Sequence, residues 1–156
     1  MRILLLLVAS LSLFGETEAT FVAISTQTTT TSGKLTIQQN QSTPVYAQGV
    51  RAVVVSTTAG TCVTEQRGTA PTATATTIQQ TNGAAAFSRL SAYAASNVGA
   101  GTATSPVYTV TANVPLVLDM TPSGFVGVGT TKNLTVSCTI DSGDIQIALY
   151  WKEQIQ

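Results

Sequence analysis

The chain has 156 residues, of which 9% are charged, and its seven basic and seven acidic side chains give a formal net charge of zero. Ordinary soluble domains carry about 25% charged residues, so this composition excludes a basic track for a nucleic-acid backbone and leaves little repulsion between copies. No histidine is present, which removes the commonest general base and the commonest metal ligand. Threonine supplies much of the polarity, and this β-branched residue suits the solvent face of a sheet.

Residues 1–19 have the layout of a secretory signal peptide. Arg2 precedes an apolar run from Ile3 to Phe14, and a short polar stretch ends at the small residue Ala19. The run is shorter than the roughly 20 residues that a transmembrane helix needs. If the segment is not cleaved, we expect a buried strand or an N-terminal arm packed on a neighbouring subunit.

Residues 20–33 follow as a predicted strand and linker. Phe21 to Ser25 is a short apolar run, and Thr26 to Gly33 is polar and of low complexity. A strand freed by cleavage near Ala19 can be added to the open sheet edge of a neighbour. We therefore predict an assembly segment made of Phe21, Val22, Ala23 and Ile24.

Residues 34–156 form the predicted sandwich domain. Short strand signals occur at Leu35 and Ile37, at Gly49 to Ser56, and at Thr61 to Glu65. Less regular segments follow: Gly68 to Thr77 has turn character, Asn82-Gly83 is a strong turn signal, Ala84 to Ser96 fits a helix or a small-residue strand, and Asn97 to Ser105 is predicted as a loop.

The last fifty residues carry the clearest pattern. Val107 to Thr111 and Val114 to Met120 are predicted strands, and Pro115 places the second at a sheet edge or a strand start. Apolar side chains then alternate with polar ones on both sides of a turn at 141–144, which predicts a β-hairpin. Its apolar residues are Leu134, Val136, Cys138, Ile140, Ile145, Ile147, Leu149 and Trp151.

Nine or ten short strands separated by turn signals predict an all-β fold, a two-sheet antiparallel β-sandwich that is jelly-roll-like. Without histidine, an enzyme would depend on carboxylates or lysine. The acids of the body are Glu65, Asp119, Asp141, Asp144 and Glu153. Asp141 and Asp144 suit a turn, and calcium needs six or more oxygen ligands. We therefore predict no enzyme, no metal and no cofactor.

Cys62 and Cys138 are the two cysteines. A disulfide fits an oxidising compartment, two buried thiols are the alternative, and a two-cysteine metal site is disfavoured. Asn40 and Asn133 each begin an N-glycosylation acceptor pattern, which matters only if the source glycosylates secreted proteins. Five aromatic residues are candidates for a sugar-binding platform, although core packing and interface anchoring are favoured for them: Tyr46, Tyr93, Tyr108, Tyr150 and Trp151.

The segment from Lys132 through Trp151 and the Thr/Ala/Gly-rich body resemble small jelly-roll or sandwich modules of phage and viral particles, such as decoration, fibre and tail-tip proteins. The resemblance implies a non-enzymatic structural subunit of a virion, and a cleavable leader departs from that pattern. A secreted pilus or extracellular-fibre subunit assembling by strand donation is the alternative, and a carbohydrate- or receptor-binding module is a third hypothesis.

The expected partners are copies of itself in a homo-oligomer, or capsid or fibre proteins. No nucleic acid is expected, and a membrane is met only transiently if the leader is a signal peptide. The expected location is the virion or the extracellular space.

Overall fold

The computed structural model describes residues 19–29, 31–38, 45–67, 74–81, 88–94, 101–121, 126–128 and 132–154. These ranges contain β-strands and no α-helix. The strands form two antiparallel sheets, so the predicted all-β sandwich is confirmed, while a jelly-roll order of strands is not established. The leader at 1–18, the acceptor Asn40 and the turn at Asn82-Gly83 lie outside the described residues.

Thirteen strands lie within the described ranges, more than the nine or ten predicted. In chain order they are β1 Ala19–Thr29, β2 Ser32–Gln38, β3 Val45–Ser56, β4 Gly60–Arg67, β5 Thr74–Thr76, β6 Ile78–Gln80, β7 Ser91–Ala94, β8 Thr102–Ala103, β9 Tyr108–Val110, β10 Leu116–Asp119, β11 Val126–Val128, β12 Asn133–Ile140 and β13 Gly143–Glu153. Sheet A has the order β10-β3-β13-β1-β6, with β11 also paired to β3. Sheet B has the order β5-β7-β2-β12-β4-β8, with β9 also paired to β4.

Four connections cross between the sheets at one end of the sandwich, joining β1 to β2, β3 to β4, β9 to β10 and β12 to β13. The strands joined by these connections have corresponding positions in the two sheets: the order is β1-β13-β3-β10 in sheet A and β2-β12-β4-β9 in sheet B. Backbone hydrogen bonds link neighbouring connections: Thr57 N–H donates to Asp144 O (2.9 Å) and Asn113 N–H donates to Ser56 O (2.7 Å). The centre of the molecule is therefore a stack of four β-arches, in which consecutive strands face each other across the core.

The predicted hairpin at the end of the chain is wrong, although both of its strands exist. β12 pairs with β2 and β4 in sheet B, whereas β13 pairs with β1 and β3 in sheet A. Each strand has one strongly apolar face, exemplified by Val136 and Ile147, both fully buried. In a hairpin these two faces would lie side by side and both need cover. In an arch each face covers the other, which buries the same side chains with no additional element.

The predicted boundary between residues 33 and 34 is also wrong, because β1, which precedes it, is a strand of sheet A of the sandwich. This strand pairs with β13 from Ala19↔Glu153 to Thr29↔Gly143. Gln27 lies inside, 8% exposed, and its amide spans the arch: Nε2 donates to Lys34 O (2.8 Å) and Oε1 accepts from Lys34 N–H (3.2 Å). The Thr-rich segment that resembled a linker is therefore the end of β1 and the start of β2.

The core lies between the sheets, and its largest buried side chains come from β1 and β13. Trp151 and Phe21 are 0% and 2% exposed, and their ring centroids are 5.9 Å apart. Pro115 directly precedes β10, which ends the order of sheet A, so the predicted edge position is confirmed. The described part of Ala84 to Ser96 forms β7 rather than a helix, and the predicted loop at 97–105 contains the short strand β8.

Candidate functional site: the outer face of sheet A and the edge of β1

Cys62 and Cys138 lie directly opposite each other on β4 and β12, and a disulfide joins them with their Cα atoms 4.1 Å apart. Both residues are at most 1% exposed and belong to the core cluster. Of the three readings of this pair, the structure contains the disulfide. The bond links neighbouring strands of sheet B on the core face, where bulky reductants have no direct access.

The carboxylates of the described residues do not converge on one cleft. Glu65 lies in sheet B and Asp119 in sheet A, while Asp141 and Asp144 flank the turn of the β12–β13 arch. Among the residues that the structure describes, no group of three His, Cys, Asp or Glu side chains is placed to hold a metal ion. Asp144 Oδ1 accepts a hydrogen bond from the Thr28 hydroxyl (2.6 Å), which links the start of β13 to β1.

Glu153 is buried, 1% exposed, at the end of β13. Its Oε1 accepts hydrogen bonds from Ser88 Oγ and from Trp151 Nε1 (2.9 Å), and its Oε2 accepts from Arg89 N–H (3.0 Å). The Arg89 guanidinium also donates to Gln154 O (2.9 Å). This carboxylate therefore fastens the segment before β7 to the end of β13, which is a structural role.

Asn133 is 1% exposed, and its Oδ1 accepts a hydrogen bond from Thr135 Oγ1 (3.1 Å). A folded chain has no space for a glycan on this side chain, so the exposure that glycosylation at Asn133 would need is absent. The two residues that define the acceptor pattern, Asn133 and Thr135, are two positions apart. They therefore lie on the same face of β12 and hydrogen-bond to each other.

The five aromatic residues do not form one platform. Trp151 is fully buried, and Tyr108 packs against the core. Tyr93 lies on the outer face of sheet B, whereas Tyr150 and the exposed Tyr46 lie on the outer face of sheet A. This placement gives no support to a carbohydrate-binding surface built from these side chains.

The outer face of sheet A carries a row of aliphatic side chains, one from each of four neighbouring strands. Their Cα atoms are in register: Val117 pairs with Val53, Val53 with Ala148, and Ala148 with Ile24. Ile24 and Val117 are 47% and 59% exposed, and Val53 and Ala148 are half-buried. We call these four residues the aliphatic row.

The adjacent row of side chains on the outer face of sheet A, two residues along each strand, carries charged residues on β10 and β3. Arg51 lies on β3 with its guanidinium carbon 4.4 Å from the centroid of the Tyr150 ring, within cation–π range. Asp119 lies opposite Arg51 on β10. The Thr121 hydroxyl (2.7 Å) and the Thr121 N–H (3.0 Å) donate to its carboxylate, and these hydrogen bonds lower the pKa of Asp119.

The outer face of sheet B is different in kind. Thr36 and Thr135 lie opposite each other there, both 0% exposed, and their hydroxyls are hydrogen-bonded at 2.8 Å. Gln38 and Asn133 on the same face are 2% and 1% exposed. Exposed aliphatic side chains on paired strands therefore occur on the outer face of sheet A and not on this part of sheet B.

The predicted assembly segment, Phe21 to Ile24, lies within β1 of its own sheet. It pairs with β13 on one side, and Phe21 to Ala23 pair with β6 on the other. Phe21 and Ala23 are 2% and 0% exposed. Deleting this segment would remove core side chains, so its donation to a neighbour stays a prediction that a deletion cannot test.

Beyond Ala23, the edge of β1 has no strand paired to it within the described residues, and we call this stretch the free edge of β1. No described strand pairs with this side of Ile24 to Thr28, where the Thr76 hydroxyl donates to Ile24 O (3.0 Å). Backbone groups alternate in direction along an antiparallel strand. Thr20 O accepts Thr81 N–H on this side, so the N–H and C=O of Thr26 point to the same edge. A cleft of about 400 Å³ lies there, lined by Ile24 to Thr28, Ala75, Thr76 and Ala94.

Sequence reasoning did not identify the aliphatic row. The available signal was that apolar residues occupy both faces of β1, β3 and β10, and a half-exposed sheet normally carries polar residues on one face. No family model, curated protein or solved structure matches this chain. Within the described ranges, no helix has the length and apolar character needed to cross a membrane.

Proposed function

We propose that this chain is a non-enzymatic structural subunit of a virion, of the capsid-decoration or fibre type, that folds and assembles outside the reducing cytoplasm. The observation that carries the proposal is the combination of a disulfide-linked sandwich with an exposed, uncharged aliphatic row on one sheet face. Exposed aliphatic surface in a charge-poor protein favours contacts with another protein.

Two further features support an assembly role. The carboxylates of Asp119, Asp144 and Glu153 accept hydrogen bonds from neighbouring side chains, which is a structural use of these acids. Low formal charge also weakens the repulsion between copies brought close together in a particle.

Mass spectrometry of purified particles tests this proposal directly, because the chain must be a stoichiometric component. Its absence from particles rules the virion role out. The mature N-terminus adds a second measurement: a start at Met1 favours a retained arm, and a start at Thr20 favours secretion. Cleavage after Ala19 would remove only the first residue of β1, so both products keep the sandwich.

A second candidate, a secreted pilus or extracellular-fibre subunit, is favoured by the free edge of β1. An extended segment from a neighbouring copy could pair with Ile24 to Thr28 and fill the cleft beside it. Backbone hydrogen bonds would then supply the affinity, as in other cases of strand addition.

Thr26→Pro tests this candidate, because proline removes the N–H that points to the free edge and is tolerated on edge strands. We expect Thr26→Pro to abolish fibres and Thr26→Val, which keeps the N–H, to preserve them. Electron microscopy of assembled material gives the answer, with circular dichroism as the check on folding. Normal fibres from a folded Thr26→Pro protein would exclude strand addition at this edge.

A further inference from the structure

The aliphatic row is continuous across the centre of sheet A. It runs from Val117 on the edge strand β10 to Ile24 on β1. Two of its four members are about half exposed, and aliphatic residues in register form a flat apolar strip rather than scattered contacts. Such a strip matches the inner face of another sheet, and sheets that pack face to face lie about 10 Å apart with their strands roughly aligned.

The charges on β13 are placed symmetrically about the aliphatic row. Its outward positions read Asp144, Gln146, Ala148, Tyr150 and Lys152. Ala148 belongs to the aliphatic row, and an acid and a base lie four residues to either side of it. If a second copy is rotated by 180° so that its β13 is antiparallel and its Ala148 lies opposite Ala148, each charged side chain on one strand therefore faces the opposite charge on the other.

The alternative orientation of two such faces is unfavourable. If the two β13 strands ran in the same direction, Asp144 would face Asp144 and Lys152 would face Lys152. With the strands antiparallel, each Lys152 faces the partner's Asp144 while the aliphatic rows lie on each other. Arg51 lies to the side of the row, stacked on Tyr150, with Asp119 on the adjacent strand as a charge of opposite sign.

We propose that the outer face of sheet A binds the same face of a second copy of this chain, with the two β13 strands antiparallel across a two-fold axis that passes near Ala148. This dimer deepens the proposed assembly role and rests on it. Its test uses isolated protein, so the dimer can fail while the chain is still found in particles, and the reverse also holds.

The first test places a charge on the axis. Ala148→Glu brings two carboxylates together in the dimer, whereas Thr109→Glu adds the same charge to an exposed position of β9 in sheet B. By sedimentation velocity over a range of concentrations, we expect Ala148→Glu to weaken the dimer by at least about a hundredfold. We expect Thr109→Glu to leave it unchanged. A wild-type protein that is monomeric at all concentrations, or a dimer unaffected by Ala148→Glu, overturns the proposal.

The second test decides the orientation by exchanging charges. Lys152→Glu and Asp144→Lys should each weaken the dimer about tenfold, because each turns two attractive pairs into two repulsive ones. The double variant Asp144→Lys/Lys152→Glu should restore wild-type affinity, and added salt should weaken both the wild type and the double variant. Failure of the folded double variant to restore affinity overturns the antiparallel arrangement.

Discussion

Glu153 illustrates how a charged side chain is accommodated inside this sandwich. A buried carboxylate is costly unless its oxygens accept hydrogen bonds. Here Ser88, Arg89 and Trp151 supply three donors, two of which come from a segment more than sixty residues away along the chain. The sequence placed Glu153 among the candidate acids but contained no sign of these partners.

Replacing Glu153 by Gln should destabilise the fold by about 2 kcal/mol, because an amide N–H₂ then faces a donor that was previously satisfied. Urea denaturation followed by Trp151 fluorescence measures the effect. Asp141→Asn is the matched control, an exposed carboxylate whose replacement should change the free energy of unfolding by less than about 0.5 kcal/mol. Equal stability of the two variants would contradict the role given to Glu153.

The lowered pKa of Asp119 leads to a prediction about the pH dependence of stability. The hydrogen bonds from Thr121 lower the pKa of Asp119 in the folded state. The ionised carboxylate therefore stabilises the folded state at pH values above the pKa that Asp119 has in the unfolded chain. This stabilisation is lost as the pH falls through the folded-state pKa. Thr121→Val removes the hydroxyl and keeps the N–H, so the pKa of Asp119 should rise but remain below its ordinary value. Thr121→Ser should leave it unchanged. NMR titration of the Asp119 carboxyl carbon distinguishes these results.

At the scale of elements, the strands were predictable and their partners were not. Period-2 alternation correctly located β12 and β13, because it reports only that one face of each strand is buried. A hairpin and an arch have the same alternating sequence pattern, and both need only a short connection between the strands. The difference lies in which strands complete each sheet, and those partners come from distant parts of the chain.

Gly33 tests the packing of neighbouring arches. It lies on β2 opposite Cys138, and a Cβ built on it would meet Ile145 Cγ2 of β13 on the facing sheet. Gly33→Ala should therefore destabilise the protein by about 1–3 kcal/mol.

A second change, Ile145→Ala, removes the opposing atom. Denaturation of the two single variants and the double variant should show that the double variant is more stable than the sum of the single effects predicts. Strict additivity would mean that the two sheets do not approach each other at this point.

For the whole molecule, the disulfide connects strands that are adjacent in space and 76 residues apart in sequence. Cross-linking positions this distant restricts the unfolded chain, which stabilises the fold by about 4 kcal/mol on the chain-entropy account.

The double variant Cys62→Ala/Cys138→Ala should lose about this amount, and its stability should not respond to a reductant added before refolding. Wild-type protein refolded with reductant should show a similar loss. Urea denaturation under both conditions measures these differences, and a wild-type protein equally stable when reduced would contradict the stabilising role of the bond.

The all-β character, the edge position of Pro115 and the buried place of Cys138 followed from local composition and alternation, since those properties depend on each residue's preference for strand, turn or interior. The boundary at 33–34 failed because a Thr-rich segment has the composition of a linker and also the stereochemistry of a strand. The buried position of Asn133 was not evident from the sequence, because an acceptor pattern does not report burial.

Sequence alone specified that this chain builds short amphipathic strands with little charge and no imidazole, because side-chain chemistry and period are local properties. The pairing of β1 with β13, the disulfide, the aliphatic row and the free edge of β1 exist only once distant strands are brought together. Each of them depends on register between segments far apart in the chain, and hydrophobic burial across the whole sandwich selects that register among alternatives with the same local pattern.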